Sequence, residues 1–330
     1  MSHKSIRVGV VGVGAMGRNH LRIYDLLKGA DLVAIVDPDV ERAGQLAAQY
    51  GCRAYGRVED LVGKVDAVSV VSPSTTHAEI ATYLLDNGIH CLVEKPLATT
   101  EEGGRAIIAA AERSGCVLLV GHVERYNPAI QQLADIIGGG VRVHAVDARR
   151  MSAVSARIQD VDVVADLMVH DLDIVLALVG EQVSRVRAAG VGTGGAGGGD
   201  YVTALLSFAS GSLASLTASR ITQNKIRELH LTTDQGFFSV NYVTQSLSIF
   251  QQGGAKDQPY KATQRGSYVL DIAMERVLVR AAEPLMLELQ NFLDAINGTA
   301  RPIVTGPQAL DALRLVWQIQ GHVAGSAERG

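Results

Sequence analysis

Three glycines that directly follow a short apolar strand constrain this chain more than any other feature. Residues 6–11 are dominated by β-branched side chains, which is typical of a buried parallel strand. Gly12, Gly14 and Gly17 come next, and a helical pattern covers residues 16–27. Gly12 would allow a tight turn, Gly14 would let the backbone approach a pyrophosphate, and Gly17 would let helix and strand pack closely. The pattern predicts a dinucleotide-binding fold with the phosphates at the helix N-terminus.

An acidic residue after the second strand indicates which dinucleotide is bound. The strand pattern at residues 31–36 ends in Asp37, twenty positions after Gly17. A carboxylate at this place can accept hydrogen bonds from both hydroxyls of the adenine ribose, and it would repel a 2′-phosphate. Arg42 is the first basic side chain that follows, and it could still turn towards such a phosphate. The sequence therefore favours NAD over NADP.

Strand and helix patterns alternate through the first part of the chain, residues 1–124. Further strands are predicted at 67–72, 89–93 and 117–120, and helices at 40–50, 77–87 and 100–114. Such alternation predicts an α/β Rossmann domain, a doubly wound parallel sheet whose ligands bind at the carboxyl ends of the strands.

The pattern changes in the second part, residues 125–330. Strands are predicted at 141–150, 182–189, 201–208, 212–220, 226–233 and 236–240, with helices at 164–178, 284–296 and 307–323. Tight turns such as Ser210-Gly211 favour antiparallel pairing, and the glycine-dense stretch 190–199 is predicted to be a loop. We expect an α+β domain with a large open, mainly antiparallel sheet. Its free face predicts a homodimer or homotetramer formed through this sheet.

Composition and charge exclude several classes of partner. The net charge of −4 argues against broad binding to nucleic acid or to anionic membranes. No apolar run has the length of a membrane span. Cys52, Cys91 and Cys116 are odd in number and lack metal-site spacing, so we expect reduced thiols in a cytoplasmic protein.

Four motifs occur in a fixed order: Gly12-x-Gly14-x-x-Gly17, Ser72-Pro73-Ser74-x-x-His77, Glu94-Lys95-Pro96 and Asp166-x-x-x-His170. As a set they resemble the Gfo/Idh/MocA oxidoreductases, which include glucose–fructose oxidoreductase and inositol dehydrogenase, and the likeness spans nearly the whole chain.

The resemblance implies roles for particular residues. Lys95 and His170 are expected to face the reacting hydroxyl group, with Asp166 beside them, and the bond before Pro96 is expected to allow the cis form. Ser72, Pro73 and Glu94 are expected at the nicotinamide end. The full predicted NAD site is Gly12, Gly14, Ala15, Met16, Gly17, Asp37, Ser72, Pro73, Ser74, His77, Glu94 and Lys95.

The chemistry of alcohol oxidation suits these side chains. The hydroxyl proton must leave as hydride departs, and a histidine that titrates near neutrality can accept it. Asp166 and His170 are four apart on a predicted helix, so we expect them on one face. Lys95 could stabilise the developing alkoxide, or it could be the base itself if burial lowers its pKa. Both assignments stay open. Asp171 and Asp173 fall on other helix faces, so no metal site is expected.

The stretch from Gly121 to Pro128 resembles the branch of this family that oxidises the C3 hydroxyl of UDP-linked N-acetylhexosamines such as UDP-N-acetylglucosamine. That branch feeds an aminotransferase that makes 3-amino sugars for lipopolysaccharide. A nucleotide sugar needs cations for its diphosphate, and Arg125, Arg149, Arg150 and Arg157 could supply them. We therefore predict a substrate site formed by Lys95, Arg125, Tyr126, Asn127, Arg150, Arg157, Asp166 and His170. Tyr126 and Asn127 could alternatively cap the crossover.

Other functions remain open at this stage. One is an enzyme of the same family that acts on a free sugar, an inositol or another nucleotide sugar. A second is a regulatory NAD-binding protein without turnover, although Lys95 and His170 argue against it. A third is a hydrolase that uses tightly held NAD for transient oxidation.

Overall fold

The computed structural model describes residues 5–153, 162–192, 199–252 and 272–327, and the chain divides into two compact units. The first unit comprises Met1–Tyr126 and Ala282–Trp317, and the second comprises Asn127–Ala281 and Gln318–Gly330. The sequence pattern assigns residues 282–317 to the second domain, whereas the structure assigns them to the first unit. The reason is packing, because Leu289 and Phe292 are fully buried within the same apolar core as the first strands.

Within the described residues, the first unit contains a six-stranded parallel sheet. Its strands are β1 (Ile6–Val11), β2 (Ala30–Val36), β3 (Arg53–Tyr55), β4 (Ala67–Val70), β5 (His90–Glu94) and β6 (Leu118–Gly121). The strand order is β3-β2-β1-β4-β5-β6, so the direction of winding reverses between β1 and β4. Ligands of such sheets bind at this reversal, beside the carboxyl ends of the strands.

Helices connect these strands, and one of them illustrates the local signals. They are α1 (Ala15–Leu26), α2 (Val40–Tyr50), α3 (His77–Asp86) and α4 (Glu101–Ser114). Helix α2 begins after Asp39, whose carboxylate accepts the N–H of Arg42, and it ends at Gly51, which adopts the left-handed conformation. These caps explain why its bounds could be predicted correctly.

The second unit is built on an eight-stranded sheet within the described residues. Its strands are β7 (Val143–Met151), β8 (Val183–Val191), β9 (Tyr201–Phe208), β10 (Leu213–Ser219), β11 (Ile226–Thr233), β12 (Gly236–Asn241), β13 (Ser246–Gln252) and β14 (Ile272–Val277). The order is β14-β13-β12-β11-β7-β10-β9-β8, and the described pairs are antiparallel except β7 with β10. The predicted mainly antiparallel sheet is confirmed.

Four helices complete the description: α5 (Pro128–Gly138), α6 (Val169–Val179), α7 (Pro284–Ile296) and α8 (Gly306–Ala327). Helix α6 packs against β7 and β10. The opposite face of this sheet exposes Leu205, Leu213 and Phe237 to between 39% and 45%. Self-association through that face stays a prediction. Among the described residues, no helix combines the length and apolarity that a membrane crossing requires.

Candidate active site

The turn after β1 has the geometry that a pyrophosphate requires. Gly12 has a φ of +88°, and a Cβ there would lie 2.7 Å from the amide nitrogen of Ser72. A Cβ on Gly17 would overlap the carbonyl oxygen of Gly12, whereas a Cβ on Gly14 would have no atom within 4 Å. Helix α1 begins at Ala15 without a side-chain cap, so its first N–H groups can bind an anion. The glycines therefore fit the phosphates of a dinucleotide.

Asp37 occupies the end of β2 as an anchored carboxylate. It is 3% exposed and accepts hydrogen bonds from the N–H groups of Val13 and Asp39, both at 2.9 Å. The guanidinium of Arg42 donates to it at 2.7 Å. Burial alone would raise the pKa of Asp37, but these hydrogen bonds outweigh it and lower the pKa. Asp37 is thus held ionised, as binding of a ribose diol requires, and Arg42 is engaged with that carboxylate.

Two loops leave the sheet on the side of β1 that is opposite to Asp37. One follows β4 and carries Ser72, whose hydroxyl lies 2.7 Å from that of Thr76. The other follows β5 and contains Lys95-Pro96, whose peptide bond is cis, as the family resemblance allowed. His77 joins them: its Nδ1 lies 2.9 Å from the carbonyl oxygen of Pro96, and its Nε2 lies 2.9 Å from that of Ser72.

This position changes the expected role of His77. The imidazole is 1% exposed and directs both nitrogens to backbone carbonyls. We therefore assign His77 to positioning of the two loops, in place of the direct contact with the cofactor that the sequence predicted. Pro73 and Ser74 belong to the first of these loops, and their contact with the cofactor stays a prediction.

Glu94 and Lys95 lie where β5 ends. Glu94 is 8% exposed, and its Oε2 accepts the N–H of Lys95 at 3.1 Å. The Nε2 of His20, on α1, lies 3.2 Å from Oε1 of Glu94. Gly121 is required opposite, because a Cβ there would lie 2.9 Å from the carboxyl carbon of Glu94. Neither contact is predicted from the sequence, because only the pairing of β5 with β6 places Gly121 beside Glu94. Lys95 itself is partly exposed, as a group that contacts substrate must be.

In the second unit, His170 lies in the first turn of α6, and Asp166 lies in the turn that precedes this helix. The sequence predicts one continuous helix over residues 164–178, but the structure has a π-helical turn at Val164–Met168 before α6. Asp162 stabilises this turn by accepting the N–H groups of Val164 and Ala165, each at 2.9 Å. The α-helical spacing used to predict a shared face therefore does not apply across this boundary. Such turns occur often at functional sites. Both side chains are partly exposed, while Asp171 is 2% exposed.

Arg150 forms a buried ion pair. Its guanidinium donates to both carboxylate oxygens of Asp171 at 2.8 Å, and both side chains are 3% exposed. The ring of Tyr242 lies 4.8 Å from the guanidinium carbon, and its hydroxyl donates to Asp171 at 3.1 Å. Arg149 is the next residue on β7, so it points to the other face of the sheet, where it pairs with Asp147. This geometry corrects the prediction that Arg150 binds a diphosphate: its charge is neutralised inside the second unit.

The remaining predicted substrate residues differ in their surroundings. Tyr126 is fully buried in the first unit and donates its hydroxyl to Asn291 at 3.0 Å. Asn127 caps α5 by accepting the N–H of Ala129 at 3.1 Å, and its amide donates to the carbonyl of Tyr242 at 3.0 Å. Both therefore have structural roles, which corrects the predicted sugar contact. Arg125 is partly exposed. Arg157 lies outside the described residues.

The described residues bring together no group of three or more His, Cys, Asp or Glu side chains suited to a metal ion.

Comparison with known proteins supports the fold and the reaction class. Residues 6–122 match the model of the oxidoreductase family with an NAD-binding Rossmann fold, and residues 141–239 match the GFO/IDH/MocA C-terminal domain. UDP-N-acetylglucosamine 3-dehydrogenase from Acidithiobacillus ferrooxidans is 35% identical over 90% of this chain and 90% of its own length. Its structure superposes with a TM-score of 0.88 and 33% identity, covering 96% of this chain and 97% of that one.

A second relative has a different substrate in its name. Inositol 2-dehydrogenase from Acidothermus cellulolyticus is 34% identical, but over only 56% of this chain and 57% of its own length. The two family models together match most of the chain. The first match contains the parallel sheet, and the second contains a large part of the mainly antiparallel sheet. The chain therefore belongs to the Gfo/Idh/MocA oxidoreductase family and is an NAD-dependent dehydrogenase.

Proposed function

We propose that this enzyme oxidises the C3 hydroxyl of UDP-N-acetylglucosamine to a ketone and reduces NAD. The observation that carries this proposal is the extent of one match. The UDP-N-acetylglucosamine 3-dehydrogenase of Acidithiobacillus ferrooxidans is 35% identical over 90% of both chains, so the likeness includes the unit that would select the substrate. An inositol 2-dehydrogenase of Corynebacterium glutamicum that matches over 93% of this chain is only 27% identical.

The proposed mechanism divides the work between a few side chains. NAD, when bound, accepts the hydride. Lys95 donates a hydrogen bond to the reacting oxygen and so stabilises negative charge as it develops. His170 takes the hydroxyl proton, and Asp166 orients its imidazole or binds a neighbouring hydroxyl group. The partial exposure of all three is compatible with contact to a substrate. Lys95 as the base is the alternative assignment.

The diphosphate of the substrate needs positive charge, because the whole chain carries a net charge of −4. Since Arg150 is neutralised by Asp171, we assign this role to Arg125 and Arg157. Arginine suits it because a planar guanidinium can donate two parallel hydrogen bonds to phosphate oxygens.

The proposed product also suggests the biological setting. A 3-keto nucleotide sugar is a substrate for an aminotransferase, which would give a 3-amino sugar for lipopolysaccharide. We propose a cytoplasmic enzyme, because Cys52, Cys91 and Cys116 are all free thiols. We further propose a homodimer or homotetramer formed through the open sheet face that exposes Leu205, Leu213 and Phe237.

An assay with purified protein tests the substrate. UDP-N-acetylglucosamine and NAD are incubated with hydroxylamine, which traps the ketone, and reduced nicotinamide is followed by absorbance. We expect reduction that depends on the sugar nucleotide and falls roughly 100-fold or more in Lys95→Ala. Lys28→Ala, which alters an exposed lysine of the first unit, is the matched control.

Two further arms separate the competing functions. Reduction with inositol or free sugars, and none with UDP-N-acetylglucosamine, would reject the proposed substrate but keep the reaction class. NAD binding without turnover of any of these alcohols would favour a regulatory protein. Release of a hydrolysed sugar without net NADH would indicate the hydrolase.

A further inference from the structure

A second carboxyl group lies buried near Glu94 in the first unit. Glu288, on α7, is fully buried, and neither of its carboxyl oxygens has a hydrogen-bond partner in the described structure. His20, on α1, is also fully buried, with Nε2 3.2 Å from Glu94 and Nδ1 without a partner. Buried polar groups nearly always have partners, so such a concentration of exceptions requires an explanation. We call Glu94 and Glu288 the acid pair.

The three side chains meet in one place. Helices α1 and α7 pack against each other. His20 and Tyr24 are four residues apart on α1 and so share one face. The pKa of Tyr24 is raised, first by burial and to a smaller extent by Glu288, which puts Glu288 near that face. The charge of Glu94 also acts on Glu288, which puts Glu288 near the end of β5.

The two acids differ in what can stabilise their charge. Glu94 accepts the N–H of Lys95 at 3.1 Å and lies beside His20. Glu288 has no donor within the described structure, and an ionised carboxylate without a donor is very unfavourable in the interior of a protein. Burial raises the pKa of Glu288 well above its usual range, and the charge of Glu94 raises it further. Glu288, buried and without a donor, therefore holds a proton in the folded protein.

The sheet order indicates which part of the cofactor lies near this charge. Asp37 follows β2 on one side of the phosphate turn, where the adenine ribose binds. Glu94 ends β5, on the other side of β1, so the nicotinamide end extends towards it. Oxidised nicotinamide carries a positive charge and reduced nicotinamide carries none. A positive ring near Glu94 offsets the charge that opposes ionisation of Glu288.

We propose that binding of oxidised NAD releases the proton of Glu288 to solvent, whereas binding of NADH leaves it in place. The acid pair thereby links the preference for one redox form of the cofactor to pH. The inference rests on the NAD-binding fold, and it holds whichever alcohol is the substrate.

Other ionisable groups surround Glu288 and must be separated from it. Helix α1 and the turn Val123–Tyr126 pack against α7. The charged or titratable side chains on these elements and at the end of β5 are Arg18, His20, Arg22 paired with Glu283, Tyr24, Asp25, Glu94, Lys95, Glu124, Arg125 and Tyr126. His20 is the histidine among them, so a variant at His20 is needed beside the variant at Glu288.

Calorimetric titration of the purified protein counts the protons. Titrations with NAD and with NADH, each in two buffers of different ionisation enthalpy, give the proton release from about pH 6 to about pH 9. We expect release with NAD and none with NADH. The affinity ratio of NAD to NADH should rise by up to about tenfold per pH unit where release is complete. Equal release with both cofactors overturns the proposal, and this comparison needs no variant.

The variants assign the proton. Glu288→Gln has the shape of the protonated acid but cannot ionise, so we expect it to bind both cofactors without proton release. Glu112→Gln, at an exposed position of α4, should behave as the unmodified protein. The infrared band of a protonated carboxyl group should decrease on addition of NAD, and only when Glu288 is present. Proton release that persists in Glu288→Gln would overturn the assignment. Proton release that is lost in His20→Gln but kept in Glu288→Gln would instead assign the proton to His20.

Discussion

Replacing Asp171 with asparagine should destabilise the second unit strongly, because it removes the carboxylate that forms two hydrogen bonds with the buried guanidinium of Arg150. Arg150 and Asp171 are each 3% exposed and share two hydrogen bonds of 2.8 Å. Removing one partner of such a pair costs about 3–5 kcal/mol, since desolvation of the remaining charge is no longer offset. The asparagine side chain would keep the size of the aspartate but lose its charge and one acceptor. We therefore expect Asp171→Asn to lower the free energy of unfolding by about 4 kcal/mol.

Thermal unfolding followed by circular dichroism measures this loss. For a unit of this size, each kcal/mol shifts Tm by roughly 2–4 °C, so the expected decrease is about 8–16 °C. Tyr242→Phe is the matched control, because it removes only the hydroxyl that donates to Asp171 at 3.1 Å. It should cost about 1.5–3 kcal/mol, the range for a hydrogen bond to a charged group.

A double variant separates stability from substrate binding. Arg150→Met/Asp171→Leu replaces the pair with apolar side chains, which is often neutral or stabilising. If Arg150 has only a structural role, this variant should recover most of the Tm and keep the KM for UDP-N-acetylglucosamine. The reasoning fails if Asp171→Asn costs less than about 1 kcal/mol. It also fails if the stable double variant raises KM about tenfold or more, because Arg150 would then bind the diphosphate.

Two further predictions concern the cofactor. Asp37→Asn should weaken NAD binding about tenfold and reduce the discrimination against NADP, measured as the ratio of the two Kd values. The folded pKa of Asp37 is lowered, so its contribution to stability is complete at neutral pH and is lost as pH falls below about 4. The Tm deficit of Asp37→Asn should therefore shrink at such low pH. Gly14→Ala should keep the Tm, since its Cβ meets no protein atom. It should weaken NAD binding, because the backbone at Gly14 is expected to approach the pyrophosphate. Gly17→Ala should lower both the Tm and the affinity for NAD, because its Cβ would overlap the carbonyl oxygen of Gly12. Equal Tm values for the two glycine variants would contradict this distinction.

Local patterns predicted much of the fold, because the decisive signals were local. The Rossmann fold follows from one strand, three glycines and one helix, and the bounds of α2 and α7 were correct. The strands β3, β13 and β14 were not predicted. Helix α5 was missed although Asn127 and Pro128 are typical of a helix start. The sequence left open whether Asn127 contacts a sugar or caps the crossover, and the structure shows it as the cap of α5.

The charged residues show why the site was harder to predict than the fold. Arg149 and Arg150 are neighbours in sequence, yet alternation along β7 sends them to opposite faces of the sheet. Sequence proximity therefore could not indicate a shared binding site. Whether an arginine can bind a phosphate depends on whether the protein already neutralises it. For Arg150 the answer depends on Asp171, which reaches it only because α6 packs against β7.

Glu288 is a further group whose role depends on distant parts of the chain, and the sequence predicted no role for it. Glu288 lies on the buried face of α7, a position where a sequence pattern would suggest a solvated glutamate on an amphipathic helix. Nothing within the helix explains a buried acid, because its neighbours Leu285, Leu289 and Phe292 are apolar and buried. The explanation comes from distant parts of the chain, where the phosphate-binding helix and the strand before Lys95 converge. Burial of a carboxyl group without a hydrogen-bond donor lowers the stability of the fold. Control of the charge beside the nicotinamide is a function that can compensate for this loss.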